Sequence, residues 1–189
     1  MQPAVFLDRD GTLHEELDHA LVDPHELRLF PGVPQALARL TKAGFALVII
    51  TNQSAIARGE LDHEQLARVH AHLREQCAGA GASIAGIFVC PHHPSDGRAP
   101  YRRTCTCRKP ASGLFTDAAC ALGLDLARSW VIGDALRDLE AGVRVGARPV
   151  LVATGKGARE RAKLSAELAS RTLFAPDLAT AVDALLRAR

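Results

Sequence analysis

Short unbroken apolar runs alternate along this chain with stretches whose apolar residues recur every three or four positions. The runs are Ala4–Leu7, Ala46–Ile50, Ile84–Cys90, Trp130–Ile132 and Pro149–Val152. Each has the length of a strand, and their continuity implies a sheet covered on both faces. Between them lie helical stripes. Val33, Leu37 and Leu40 form one within Pro31–Gly44, with the glycine at its C-terminal end. Leu66, Val69 and Leu73 form the next, which Asp62 can cap while Gln65 reaches back. Further helices are predicted over Ser112–Leu122, Leu136–Val145, about 158–168 and about 177–188, the last with Leu178, Val182, Leu185 and Leu186 on its apolar face. Residues 14–30 and 91–111 fit neither period. Strands alternating with helices predict an α/β fold, a doubly wound, mostly parallel sheet with right-handed crossovers. No repeat or linker interrupts it.

Composition narrows the class. At 189 residues the chain suits one domain that buries about 70% of its unfolded surface. A net charge of +2 and 4% aromatics argue against nucleic acid as a partner. The longest apolar run, Phe45–Ile50, is far short of the ~18 residues of a membrane span. A strand is predicted almost at once after Met1, which leaves no room for a signal peptide. A cytoplasmic monomer is expected. In that reducing compartment five cysteines point to metal or packing rather than disulfides.

Ligands of doubly wound sheets sit beyond the carboxyl ends of the strands. The first strand ends in Asp8-Arg9-Asp10-Gly11, the second in Thr51-Asn52, and the fourth in Gly133-Asp134. Residues i and i+2 of an extended segment share a face, and Gly11 permits a sharp turn beyond them. Two carboxylates that close repel each other unless one is protonated or a cation intervenes, and a hard cation such as Mg²⁺ suits them. The distant positions Asp8, Thr51 and Asp134 would thus converge on one crevice.

Asp8-x-Asp10-Gly11-Thr12, Thr51-Asn52-Gln53-Ser54, Arg108-Lys109-Pro110 and Gly133-Asp134-x-x-x-Asp138 occur in that order. Together they resemble the haloacid dehalogenase superfamily of aspartyl-phosphate hydrolases, from about residue 4 to about residue 153. The resemblance implies that Asp8 is the nucleophile, which divides one difficult phosphoryl transfer into two steps. Asp10 would be general acid and then general base. The side chains of Asp8 and Asp134 with the backbone carbonyl of Asp10 would hold Mg²⁺, and Asp138 would support that site. Thr51 and Asn52 would donate to the phosphoryl oxygens, and Lys109 would supply fixed positive charge. Arg108 could fork onto a second anionic group.

The irregular stretch carries a second signal. Cys90-Pro91-His92 and Cys105-Thr106-Cys107 offer four ligands, with twelve residues between His92 and Cys105. Three thiolates and an imidazole suit a closed structural Zn²⁺ site within a loop spanning about 90–109. His93 stands as an alternative to His92, whereas Cys77 and Cys120 fall in helical patterns as small packing residues. The pairing of this loop with the aspartate motifs resembles a narrower family, the heptose 1,7-bisphosphate 7-phosphatases and related histidinol-phosphate phosphatases. It implies a phosphomonoesterase that removes the 7-phosphate of a heptose bisphosphate in nucleotide-heptose biosynthesis. Asp18, His19, Ala20 and Leu21 with Thr51, Asn52, Gln53 and Ser54, Arg108 and Lys109 would then contact the phosphorylated sugar. Histidinol phosphate is the alternative substrate, and a non-catalytic zinc-stabilised binding module the alternative class. Two departures bear on substrate choice. Ala135 follows the metal-binding aspartate where the family commonly has lysine, and Asp18-His19-Ala20-Leu21 stands where Gly-Tyr often follows the histidine. Only about forty residues separate the first two motifs, too few for a large cap domain.

Overall fold

A computed structural model describes residues 1–188 of the chain. In chain order the elements are β1 (Gln2–Leu7), α1 (Val33–Lys42), β2 (Ala46–Asn52), α2 (Ala55–Arg58), α3 (His63–Ala78) and β3 (Ile84–Cys90). There follow α4 (Gly113–Leu122), β4 (Leu124–Gly133), α5 (Leu136–Val143), β5 (Arg148–Val152), α6 (Gly157–Glu160), α7 (Ala166–Arg171), β6 (Leu173–Ala175) and α8 (Leu178–Arg187). The six strands form one sheet in the order β3-β2-β1-β4-β5-β6, and every adjacent pair is parallel.

β1 shows why the strand sequences read as continuous apolar runs. Val5 and Leu7 point to one face and pack with Leu37, Leu40, Val69, Leu73, Val182 and Leu185 of α1, α3 and α8. Ala4 and Phe6 point to the other and meet Leu114, Phe115 and Ala118 of α4 and Ala141 of α5. Phe6 and Phe115 contact with ring centroids 4.9 Å apart. Period-2 alternation therefore persists, but both faces are covered. Burial of each such side chain stabilises the fold by about 1.5–3 kcal/mol.

The sequence reading predicts no helix at α2 and needs correction in three further places. The helix expected over 158–168 is broken: α6 passes into a 3-10 turn at Arg161–Lys163, Leu164 is extended, and α7 starts only after Ser165, whose hydroxyl accepts the Leu168 N–H at 3.2 Å. A sixth strand, β6, was not anticipated, since three residues are too short to show a period. β4 begins at Leu124, before the apolar run at Trp130, and its register against β1 shifts between Pro3 and Val5. The hydroxyl of Ser129 accepts the Ala4 N–H at 2.9 Å at that irregularity.

Connections leave β1 toward β2 and β3 on one side and toward β4, β5 and β6 on the other. The crevice of a doubly wound sheet lies at that reversal, beyond the C-terminal ends of β1 and β4. Between β1 and β2 the chain forms only a 3-10 turn at Pro24–Glu26 and α1, so no large cap is inserted.

Candidate active site

Asp8 follows directly on β1 and is anchored by its N–H to the Ile132 carbonyl at 3.0 Å. Asp134 follows β4, and Asp138 lies in the first turn of α5. One carboxylate oxygen from each of Asp8, Asp134 and Asp138 falls within 4.8 Å of the others, and all three residues are buried. Gly11 makes the close approach possible: its φ is +81°, and a Cβ there would stand 2.3 Å from Asp134 Oδ2.

Lys109 enters this cluster from the long loop, 2% exposed. Its Nζ donates to Asp8 Oδ1 at 2.7 Å and to the Ile50 carbonyl at 2.6 Å, and lies 2.7 Å from Asp138 Oδ1. Asn52 fixes its backbone, with Nδ2 donating to the Lys109 carbonyl at 3.2 Å and Oδ1 accepting the Lys109 N–H at 3.1 Å. Burial disfavours the ammonium, but Asp138 and Asp8 outweigh it and raise its pKa. Burial raises the pKa of Asp8, as does the Asp138 charge, against the opposing pull of Lys109. Asp134 is pushed up to about 7, first by burial and then by the charge of Asp8. Each carboxylate keeps part of its capacity open: Asp134 Oδ2 accepts the Lys156 N–H at 2.8 Å, while Asp8 Oδ2 and Asp134 Oδ1 are buried with no hydrogen-bond partner among the described residues. Asp138 is similar: its Oδ2 accepts the Ala135 N–H at 3.1 Å, and its buried Oδ1 has only the ion pair with Lys109.

Asp10 sits apart from that cluster with a different set of partners. Arg9, 1% exposed, forks onto it with Nε to Oδ2 at 3.2 Å and Nη2 to Oδ1 at 2.8 Å. The Gln53 amide donates to Oδ2 at 2.8 Å, Thr51 Oγ1 lies 3.4 Å from the same oxygen, and His14 Nε2 lies 3.3 Å from Oδ1. Burial pushes the Asp10 pKa up, yet the Arg9 guanidinium and His14 more than reverse it and hold the carboxyl well below its usual range. Behind Arg9, the His70 ring lies 3.2 Å from Nη1, and burial together with the guanidinium depresses the His70 pKa to about 3.

The crevice over these groups has a volume of about 730 Å³. Asp8, Asp10, Asp18, His19, Ala20, Leu21, Asn52, Gln53 and Ser54 line it, as do Arg9, Arg58 and Arg137. Thr51 and Lys109 lie buried behind its floor. Arg108 is not part of the lining; its Nη1 donates to Ser54 Oγ at 2.8 Å and to the His92 carbonyl at 3.0 Å. Asp18 and His19 pair at 2.8 Å on the exposed rim. Sequence reasoning missed Arg9, His14, His70 and Arg137. Arg9 had a signal, its place between two carboxylates; the others read as ordinary loop and helix residues.

The Cys/His loop also converges. Cys107 Sγ lies 3.2 Å from Cys90 Sγ, 3.3 Å from Cys105 Sγ and 3.3 Å from His92 Nδ1. All four ligand atoms fall within 4.8 Å of one another, and none of the cysteines forms a disulfide. His92 rather than His93 enters this group; the His93 ring accepts the Asp96 N–H at 2.8 Å and shapes the loop. Gly97, at φ +86°, packs the loop on α2 where a Cβ would lie 2.2 Å from the Ala57 carbonyl oxygen.

A strand-end nucleophile candidate facing paired carboxylates, with a buried lysine across it, defines a hydrolase of phosphoric esters on a doubly wound sheet. Comparisons with known proteins agree. A family model described as HAD-hydrolase-like matches residues 106–181. The chain is 42% identical over 176 residues to the D-glycero-beta-D-manno-heptose-1,7-bisphosphate 7-phosphatase of Photorhabdus laumondii, covering 90% of this chain and 91% of that protein. It is 40% identical over 183 residues to the Pseudomonas aeruginosa enzyme of the same name, covering 97% of each. The crystal structure of D,D-heptose 1,7-bisphosphate phosphatase from B. bronchiseptica, complexed with magnesium and phosphate, superposes with a TM-score of 0.88 at 38% identity over 99% of both chains. The chain belongs to this heptose-1,7-bisphosphate 7-phosphatase family of HAD-like hydrolases.

Proposed function

We propose that this chain is a Mg²⁺-dependent phosphomonoesterase that removes the 7-phosphate of D-glycero-D-manno-heptose 1,7-bisphosphate through an aspartyl-phosphate on Asp8. The observation that carries the reading is the pair of open, buried oxygens, Asp8 Oδ2 and Asp134 Oδ1, beside a lysine that balances only part of the local charge. Three buried carboxylates around one ammonium leave room for a hard cation, and oxygen donors are what Mg²⁺ takes. Asp8, Asp134 and the backbone carbonyl of Asp10 would hold it. When bound, Mg²⁺ offsets phosphate charge that otherwise repels the attacking carboxylate.

The chain's own residues do the rest. Lys109 holds Asp8 in place and puts positive charge behind it. Arg9 and His14 keep Asp10 ionised at rest, the form that takes a proton from the hydrolytic water. The acid form needed for the leaving group arises as dianionic phosphate approaches, because added negative charge raises a carboxylate pKa. Asp18, His19, Ala20 and Leu21 face the sugar from the rim. Arg108 serves the second phosphate through donors not used by Ser54 and His92. The Cys90, His92, Cys105 and Cys107 set holds one structural Zn²⁺: tetrahedral Zn–S bonds of ~2.3 Å put sulfurs roughly 3.8 Å apart, near the separations here. Free cysteines and a thiolate site suit the cytoplasm.

The test is a side-by-side measurement of kcat/KM on heptose 1,7-bisphosphate, histidinol phosphate and a simple monophosphate, with the position of cleavage assigned. A preference for the bisphosphate with loss at carbon 7, absent in Asp8→Asn, is expected. More efficient hydrolysis of histidinol phosphate than of any sugar bisphosphate would refute the substrate assignment, and a near-wild-type Asp8→Asn would refute the covalent mechanism.

A further inference from the structure

The groups that the sequence offers as phosphate donors are partly engaged within the protein. Lys109 Nζ donates to the Ile50 carbonyl at 2.6 Å and to Asp8 Oδ1 at 2.7 Å and is ion-paired with Asp138 Oδ1 at 2.7 Å. The Thr51 hydroxyl accepts from Gln53 at 2.8 Å and is directed at Asp10. The Asn52 amide donates to the Lys109 carbonyl. Among the arginines, Arg9 is forked onto Asp10, Arg58 is held by Glu60 at 2.8 Å, and Arg108 is bonded to Ser54 and His92. These contacts take up part of the donor capacity that a phosphoryl group beside Asp8 could use.

Arg137 is the crevice-lining arginine without a protein partner among the described residues. It stands in the first turn of α5, fixed by the bond from the Ala135 N–H to Asp138, and it lines the same crevice as Asp8 and Asp10. It lies in the field of Asp138, Asp8, Asp134 and Glu16, yet pairs with none of them within 4.0 Å and makes no hydrogen bond among the described residues. Its Nε is buried and unpartnered. A guanidinium buried in part with open N–H groups is costly unless an acceptor reaches it, and phosphate presents a matching pair of oxygens. Ala135, at the position next to Asp134, brings no charge of its own.

We propose that Arg137 is a further substrate-binding cation that donates directly to oxygens of the transferring phosphoryl group, beside Lys109. The assignment rests on the crevice being the phosphoryl-transfer site, whichever ester is the natural one.

The test is calorimetric binding of inorganic phosphate to the Mg²⁺-loaded protein in wild type, Arg137→Ala and Arg137→Lys, with Mg²⁺ affinity measured separately without phosphate. Loss of charge-assisted bonds should weaken phosphate roughly 10- to 100-fold in Arg137→Ala. Arg137→Lys should recover part of that loss, as a point charge without the planar fork. Mg²⁺ affinity should hold or tighten, since a positive charge beside three carboxylates has been removed. Unchanged phosphate affinity in Arg137→Ala overturns the assignment. So does a loss matched by an equal loss of Mg²⁺ affinity, which would make Arg137 a structural counter-charge. Because the probe is phosphate itself, an Arg137-dependent affinity in a protein that hydrolyses no sugar bisphosphate sinks the substrate reading and leaves the assignment standing.

Discussion

Replacement of Lys109 by Met tests the centre of the site, because the volume stays and the charge goes. Lys109 is the ammonium between two carboxylates that are 4% and 1% exposed, each 2.7 Å from Nζ. Removal of one partner from a buried ion pair costs about 3–5 kcal/mol, since the remaining charge is desolvated and unpaired. For a chain of this size roughly 2–4 °C per kcal/mol converts that to a fall in Tm of about 6–20 °C. Turnover should fall roughly 10²- to 10³-fold, the typical effect of removing one electrostatic stabiliser. A second substitution separates the two effects. In Lys109→Met with Asp138→Asn, the Asn oxygen still accepts the Ala135 N–H while one stranded charge is gone. The double variant should melt well above the single one without regaining activity, a non-additivity expected of residues in contact. Thermal melts of wild type, both single variants and the double variant without Mg²⁺, with kcat measured alongside, read both quantities. A Lys109→Met protein with unchanged Tm refutes the charge argument. A double variant that recovers turnover refutes the placement of Lys109 at Asp8 and leaves it a neutraliser of Asp138 alone.

Two further predictions concern the surroundings. The Cys/His loop should carry about one zinc per chain by elemental analysis, judged from its four closed ligands. Cys107→Ser should lose the zinc and weaken substrate binding through Arg108 and Lys109; rapid modification of Cys105 and Cys107 by thiol reagents in the metal-replete protein would count against it. His70 contributes to the acid sensitivity of the fold. Its pKa in the fold, about 3, lies below its ordinary 6.5, so the unfolded chain binds the extra proton between those values. Stability from His70 is full above pH 6.5 and is lost as pH falls toward 3, at up to about 1.4 kcal/mol per pH unit. Denaturant titrations across that window should show a shallower slope in His70→Gln, and an identical slope would exclude His70 as the titrating group.

The sequence by itself determined the layered α/β fold, because apolar continuity in the strands and three-to-four spacing in the helices are local consequences of which faces are covered. It also determined which residues arrive near the crevice: Asp8 and Asp134 each follow a strand, Thr51 lies at the end of β2, and parallel strands deliver their C-terminal ends to one edge. The Cys and His spacing carried the loop cluster in the same way, with His92 rather than His93 as its imidazole. Short elements escaped, since the three residues of β6 and the Leu164 break carry too few positions to express a period.

Only the tertiary structure decided what each polar atom is bonded to. Lys109 is separated from Asp8 by a hundred residues of chain, and nothing local specifies that its ammonium sits between Asp8, Asp138 and the Ile50 carbonyl. The same holds for Arg9, which lies between two acids in the sequence and is buried against Asp10 and His70. It holds for Arg137, an unremarked position in a helix whose open guanidinium is visible only once the other cations have been paired. Hydrogen-bond satisfaction is a property of the whole packed assembly, whereas periodicity is a property of a few neighbouring residues. For that reason the site's address was legible in the chain and its wiring was not.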